Sequence, residues 1–211
     1  GREKMIQEAP EIFLKEETHQ YFHSSGRELM PVTEAFRIVG ITDFSRVPAK
    51  YLDPARERGD AVHDLAEYYG LEVLNEATID PRLAGHFEAI KKFYRERVKR
   101  IIAIEQPIYD LVAGYAGTPD IVYVSHQDKI CLDDFKTPIK VSEACRWQTA
   151  PYARAWEKLN KLKIEERNAV QLREDGEYKL FPHTNPLRKD FDDFVTILKC
   201  AYLKIQNKIR S

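Results

Sequence analysis

The chain has 211 residues, 43% hydrophobic and 32% charged, with a formal net charge of −1. That length suffices for one sizeable domain with its own core, and the near-neutral balance excludes a general polybasic coat while allowing local basic stripes. No apolar run approaches the ~20 residues of a membrane-spanning helix. The opening GREKMIQEAPEIF has no apolar stretch of a secretory signal. Cys131, Cys145 and Cys200 are widely spaced and form no CxxC pair. The expectation is a cytoplasmic protein with reduced, mostly buried thiols, no iron–sulfur cluster and no membrane partner.

In chain order, Ile12–Lys15 and Gln20–His23 read as short strands around the turn Glu16-Glu17-Thr18-His19, and Ser24-Ser25-Gly26-Arg27 as a second turn. His19 and His23 read as exposed strand or turn histidines. Val32–Val39 reads as a short helix stopped by Gly40. A longer helix is expected from Asp53-Pro54, a cap followed by a proline at the first helical position, through to Gly70. Its apolar stripe is Val62, Leu65, Ala66 and Tyr69, with His63 at the border and Glu67 one turn on. Gly59 inside it costs about 1 kcal/mol against alanine, which close packing or a close ligand would explain.

Asp80-Pro81 repeats the start signal, and Leu83, Phe87, Ile90, Phe93, Tyr94 and Val98 follow at helical spacing. The far end, KKFYRERVKR, concentrates Lys91, Lys92, Arg95 and Lys99 with few acids. It reads either as a phosphate-tracking stripe or as a solvated helix end carrying the cations its dipole favours. Residues 101–108 read as a strand in which Glu105 shares a face with Ile101 and Ala103, an acid where alternation predicts an apolar residue.

The stretch GTPDIVYVSHQDKICLDDFK, residues 117–136, reads as a hairpin with strands at 118–124 and Ile130–Lys136. Alternation puts Ile130, Leu132, Asp134 and Lys136 on one face, and Asp120 on a face with Val122 and Val124. Pairing brings Asp120 close to Asp134 and Lys136. Carboxylates this close repel and lose hydration, and a divalent cation is their natural compensator. Asp133 points to the opposite face and reads as structural. Next, Ser142 caps a helix running to about Leu159, with Gln148 and Tyr152 one turn apart and Pro151 kinking it. Trp147 and Trp156 read as packing residues. Asp175-Gly176 marks a second hairpin between 165–173 and 177–181, and a final helix is expected over 186–209. His126 and His183 read as loop histidines.

Taken together, this order resembles the PD-(D/E)XK nuclease superfamily, in its RecB-like branch. Pro119-Asp120 and Asp134-Phe135-Lys136 stand where that family's name motif falls. Gln148 with Tyr152 is similar to its helical continuation, Arg58-Gly59-Asp60-Ala61-Val62-His63 to its first helix, and Glu105 to the acid on its first core strand. The opening segment is similar to the start of phage-type exonucleases. The resemblance runs from about Ile12 to Trp156. Each motif is weak alone, since D-x-K is common by chance; their order on compatible elements carries the resemblance.

The resemblance implies an α/β (α+β) fold with a restriction-endonuclease-like mixed central sheet flanked by helices. It implies one nuclease domain over 1–211: an N-terminal meander and helices (about 11–100), a catalytic core (about 101–160), and a C-terminal hairpin plus helix (about 165–210). It implies a metal-dependent deoxyribonuclease using one or two Mg²⁺ or Mn²⁺ ions. Asp120, Asp134, Lys136 and Glu105 would be catalytic. His63, Asp120, Asp134 and the Phe135 backbone carbonyl would hold the metal, with Glu105 as a further ligand. Gln148, Tyr152, Lys91, Lys92, Arg95 and Lys99 would contact DNA. An exonuclease acting on DNA ends in recombination or repair is the leading expectation, in the cytoplasm of a bacterium or phage-infected host, with a eukaryotic compartment left open. A single-strand annealing or other recombination protein is the expected partner, and oligomerisation is open. The alternatives are a structure-specific endonuclease and a catalytically silent DNA-binding or assembly subunit. A silent member would be expected to lack an acid or the lysine, and all are present in the sequence.

Overall fold

Two five-stranded mixed sheets and five α-helices make up the computed structural model, which describes residues 11–15, 18, 20–42 and 48–207. The α+β class expected from the sequence is the one adopted. The N-terminal meander forms as read: β1 (Ile12–Lys15), β2 (Gln20–His23) and β3 (Glu28–Pro31) pair antiparallel, with Gly26 at φ 82° in the second turn. Helix α1 (Val32–Val39) follows directly, buries Val32, Ala35 and Phe36 at helical spacing, and ends at Gly40 with φ 87°. Only glycine adopts that left-handed closure without a Cβ penalty. His19 lies outside the described residues, as does Ile209.

Helix α2 spans Ala49–Gly70, one turn more than expected, because Pro48 rather than Asp53 precedes its first turn. Pro54 therefore lies inside the helix instead of opening it. Asp80 does cap as expected: its carboxylate accepts from the Arg82 backbone N–H at 2.9 Å and opens a 3-10 turn, Pro81–Leu83, that feeds α3 (Ala84–Arg97). Strand β4 (Val98–Ile104) continues without a loop.

Strands β5 (Ile108–Asp110) and β6 (Tyr115–Gly117) join the meander, giving the order β1-β2-β3-β6-β5 with β3 and β6 parallel. The other sheet contains β7 (Ile121–Ser125), β8 (Ile130–Lys136), β9 (Glu166–Leu172) and β10 (Tyr178–Pro182) in the order β10-β9-β8-β7-β4. β8 and β9 are parallel, and α4 (Cys145–Asn160) supplies the crossover that parallel neighbours require. Ser142 caps the turn before α4, its Oγ accepting from the Ala144 N–H at 3.2 Å. The β9–β10 hairpin forms around Gly176 at φ 83° as predicted, and α5 (Leu187–Gln206) closes the described chain.

Alternation along β7 and β8 sorts the core. Val122 and Leu132 face α1, α4 and α5, packing with Tyr115, Tyr152, Trp156 and Phe194. Ile121, Tyr123, Cys131 and Phe135 face α2 and α3, packing with Val62, Leu65 and Phe93. Burying each such side chain contributes roughly 1.5–3 kcal/mol. Cys131 and Cys145 are buried, as read; Cys200 is exposed, and all three are free thiols. A buried ion cluster ties three elements together. Asp190 of α5, with no exposure, accepts from Arg167 of β9 at 2.8 Å and Arg146 of α4 at 3.2 Å. No helix among the described residues is long and apolar enough to cross a membrane.

Two strands differ from their sequence reading: β7 starts only at Ile121, so Asp120 precedes it rather than sharing a strand face with Val122 and Val124, and β4 is bulged. β4 stops at Ile104, and a bulge separates Ile101 from Ala103, which pair with the adjacent residues Tyr123 and Val122. An inserted residue resets alternation, so Ile101 packs toward α2 and α3 while Ala103 packs toward α4. Glu105 therefore shares no strand face with that pair.

Candidate active site

Three strand ends meet at one edge of the second sheet. Ile104 at the end of β4 pairs with Ile121 at the start of β7, which pairs with Asp133 near the end of β8. Glu105, Asp120 and Asp134 to Lys136 are thus delivered to one place by register alone. The Glu105 N–H donates to the Asp120 carbonyl at 3.1 Å, extending the β4–β7 ladder past its last strand residue. Glu105 then takes φ 45°, a left-handed conformation sparsely populated by non-glycine residues. That turn, not strand alternation, aims its carboxyl into the site.

Asp120 is 6% exposed and doubly held. One carboxylate oxygen meets His63 Nδ1 at 3.1 Å, and the other accepts from the Phe135 backbone N–H. Asp120 precedes β7, so its side chain takes the place of a ladder partner. Within a strand, the N–H and C=O of one residue point to the same side. The Phe135 carbonyl therefore faces the side Asp120 occupies, where the sequence expects a metal ligand. The Phe135 ring is fixed from behind by Phe93, edge to face at 5.3 Å, so the strand end is rigid where it matters.

Asp134 is 2% exposed. It forms an ion pair with Lys136 and accepts from Gln148 Nε2 at 3.0 Å. Gln148 also reaches the Tyr152 hydroxyl at 3.4 Å. Tyr152 packs against Gly117, where a Cβ would collide with its ring. The hydrogen bonds of Gln148 thus go to Asp134 and Tyr152, and both side chains line the cleft. Tyr152 is 3% exposed, and the pair sets the orientation of Asp134. Asp133 faces the other way, fully buried, and accepts from Tyr123 at 2.7 Å and Asn168 at 2.6 Å, the structural role read for it.

The electrostatics follow from burial and crowding. Burial, then the charge and hydrogen bond of Asp120, push the Glu105 carboxyl up to about 10. Burial alone would raise Asp120 too, but His63, Lys136 and the Phe135 N–H outweigh it and hold it below the usual carboxylate range. Burial works against charge on His63, and the Asp120 carboxylate overcomes it, raising the imidazole above its ordinary value. Asp134 is raised by burial despite Lys136. Lys136 is itself raised, because Asp134 and Asp120 outweigh its burial.

This cluster lies on the floor of a cleft of about 830 Å³. One wall is a single face of α2, where Leu52, Arg56, Gly59, His63 and Glu67 recur at helical spacing. Gly59 belongs to this face; a Cβ there would make only ordinary contact with Thr137 Oγ1 at 3.5 Å, so protein packing does not demand glycine. The other wall is Leu14, Tyr21 and the β3–α1 junction.

Ligand atoms of His63, Glu105 and Asp120 lie within 4.8 Å of one another. An oxygen-rich set with one imidazole suits Mg²⁺ or Mn²⁺, imidazole favouring the latter. Three carboxyl groups crowd together here, and a divalent cation bound among them would favour the ionised form of Glu105, whose proton burial and the Asp120 charge otherwise hold.

The basic residues of α3 and β4 are elsewhere. None of Lys91, Lys92, Arg95 and Lys99 lines the cleft. Each has an acid: Glu88 at 2.6 Å, Glu177 at 2.5 Å, Glu96 at 3.7 Å and Asp128 at 2.5 Å, respectively. His126 Nε2 lies 3.2 Å from the Arg95 carbonyl, which places Arg95 beside the β7–β8 turn, at the end of the sheet opposite the site. Sequence reasoning overlooked Arg56 on the cleft face of α2; its spacing of seven from His63 was the available signal. Compared with known protein families and with curated proteins, the chain matches none.

Proposed function

We propose that the chain is a metal-dependent deoxyribonuclease, an exonuclease hydrolysing phosphodiester bonds at DNA ends in recombination or repair. The observation that carries this reading is the convergence of Glu105, Asp120, Asp134 and Lys136, with His63, on the floor of one cleft. The order of motifs that resembles the PD-(D/E)XK nucleases supports it.

A divalent cation bound by this set would supply Lewis acidity toward the phosphodiester and lower the pKa of an attacking water. Asp120, Glu105 and His63 would hold it, with the Phe135 carbonyl on the same side. Asp134 stands next to them, oriented by Gln148. Lys136, kept charged by Asp134 and Asp120, offsets the negative charge that grows on the phosphoryl oxygens as water attacks and the P–O bond breaks. The buried floor limits competing hydration of these groups.

The test is incubation of linear and covalently closed circular DNA with Mg²⁺, Mn²⁺ or EDTA. The expected result is metal-dependent loss of linear DNA with circles intact. Nicked circles would replace the exonuclease with an endonuclease, and no cleavage of any DNA under these conditions would refute the reading.

A further inference from the structure

The cleft floor is acidic, yet the substrate of the proposed reaction is a polyanion. Beyond the floor, α2 adds Asp60, Asp64 and Glu67 to the lining. Only two lysine or arginine side chains line the cleft among the described residues, Lys136 and Arg56. Lys136 is engaged by Asp134. Arg56 is exposed, faces the cleft, and makes no ion pair or hydrogen bond among the described residues, although Asp60 stands one turn on. It sits seven residues before His63 on the same helix face, which at 1.5 Å per residue is about 10 Å along the axis. That offset sets Arg56 apart from the His63 end along the same wall, where it can meet a phosphate of the strand other than the one undergoing attack.

From this placement we infer that Arg56 is the cleft's phosphate anchor. Its guanidinium binds a non-scissile phosphodiester of the strand whose scissile phosphate lies on the Asp120–Lys136 floor, so the strand runs along the cleft face of α2. The planar fork of an arginine suits two phosphate oxygens at once, and an unpaired arginine gives up no internal ion pair on binding. Arg56 is thus a positioning residue, and the inference rests on the nuclease reading for the identity of the strand's reacting end. The paired cations of α3 do not line the cleft and have no part in it.

The experiment compares wild type with Arg56→Gln and Arg56→Lys. Binding of a fluorescein-labelled single strand and of a labelled linear duplex is followed by anisotropy, with Ca²⁺ replacing Mg²⁺, across a salt series; steady-state cleavage is followed separately in Mg²⁺. Arg56→Gln is expected to weaken binding about tenfold, as loss of one charge-assisted contact does, and to reduce the salt slope by about one. KM should rise while kcat stays within about twofold, and Arg56→Lys should recover part of the affinity. Unchanged affinity and salt slope in Arg56→Gln, or a fall in kcat with affinity intact, would overturn the inference while leaving the nuclease reading standing. Wild-type binding that depends on Arg56 but leads to no cleavage would keep the anchor and discard the nuclease. Absence of both binding and cleavage in wild type would discard both.

Discussion

Lys136 and Gly117 illustrate two different ways in which a single residue serves the site. Lys136 contributes charge. The expected outcome of Lys136→Ala is a loss of cleavage of at least ~10²-fold, the size seen when one transition-state donor is removed. The far-UV circular dichroism spectrum should stay that of wild type. Unaltered turnover would remove Lys136 from the chemistry. Gly117 contributes only space. A Cβ there meets the Tyr152 ring, and overpacking of this kind costs about 1–3 kcal/mol. Gly117→Ala should therefore lower the urea midpoint and, through Tyr152 and Gln148, loosen Asp134 and slow cleavage. A variant as stable and as fast as wild type would show that Tyr152 yields freely. His183 makes a third case. Burial and the Arg167 charge hold its pKa at about 4, below the ordinary 6.5, and its Nε2 has no hydrogen-bond partner among the described residues. The folded state thus binds this proton more weakly than the unfolded chain. Stability present above pH 6.5 is lost as pH falls toward 4, by about 2 kcal/mol between pH 7 and 4.5. Chemical denaturation at the two pH values in wild type and His183→Asn checks this: the variant should lose less, and equal losses would assign the acid sensitivity elsewhere.

At the scale of elements, the Asp190 cluster holds α4, β9 and α5 in one arrangement, whereas the surface pairs of α3 are local. Asp190 has no exposure and two arginine partners, so Asp190→Ala leaves the buried Arg167 guanidinium uncompensated and should cost about 3–5 kcal/mol. Lys99→Ala breaks an exposed pair with Asp128 and should cost no more than about 1 kcal/mol. Thermal unfolding of both variants gives the comparison, and similar shifts would refute it. The elements themselves were largely legible. β1, β2, α1 and β8 have the bounds their sequences suggest, because short alternating runs between turn residues, or a stripe ending at Gly40, leave few alternatives. The misreadings have local causes. Pro54 looked like a helix start because proline is favoured there, but Pro48 precedes α2 and the helix continues through Pro54. β4 looked regular because a bulge leaves no mark in a run of isoleucine and alanine.

At the scale of the whole molecule, charge is divided between two ends of the sheet. The acids and His63 gather where β4 and β8 end and β7 begins. Arg95 and Lys99 lie near the β7–β8 turn, while Lys92 reaches Glu177 of the β9–β10 hairpin, and each is already paired with an acid. Neutralising Arg95 and Lys99 together should leave the salt slope of DNA binding unchanged, in contrast to Arg56→Gln; a slope reduced by about two would return the stripe to the DNA interface.

By itself, the sequence determined the chemistry available: which residues carry carboxylates, imidazole and ammonium, and which share a strand face. Periodicity is local, so Asp134 and Lys136 could be placed on one face of β8 without any tertiary contact, whereas Asp120 precedes β7 and is placed by its partners instead. Partnership could not be read that way. That His63 meets Asp120 across 57 positions, that Glu105 enters through a left-handed turn, and that Gln148 grips Asp134 are consequences of strand register and helix docking. The same is true of the isolation of Lys91, Lys92, Arg95 and Lys99, and of the prominence of Arg56. A charge's neighbours depend on which elements pack together. Only the tertiary structure decides whether a cation faces a cleft or spends its charge on an acid beside it.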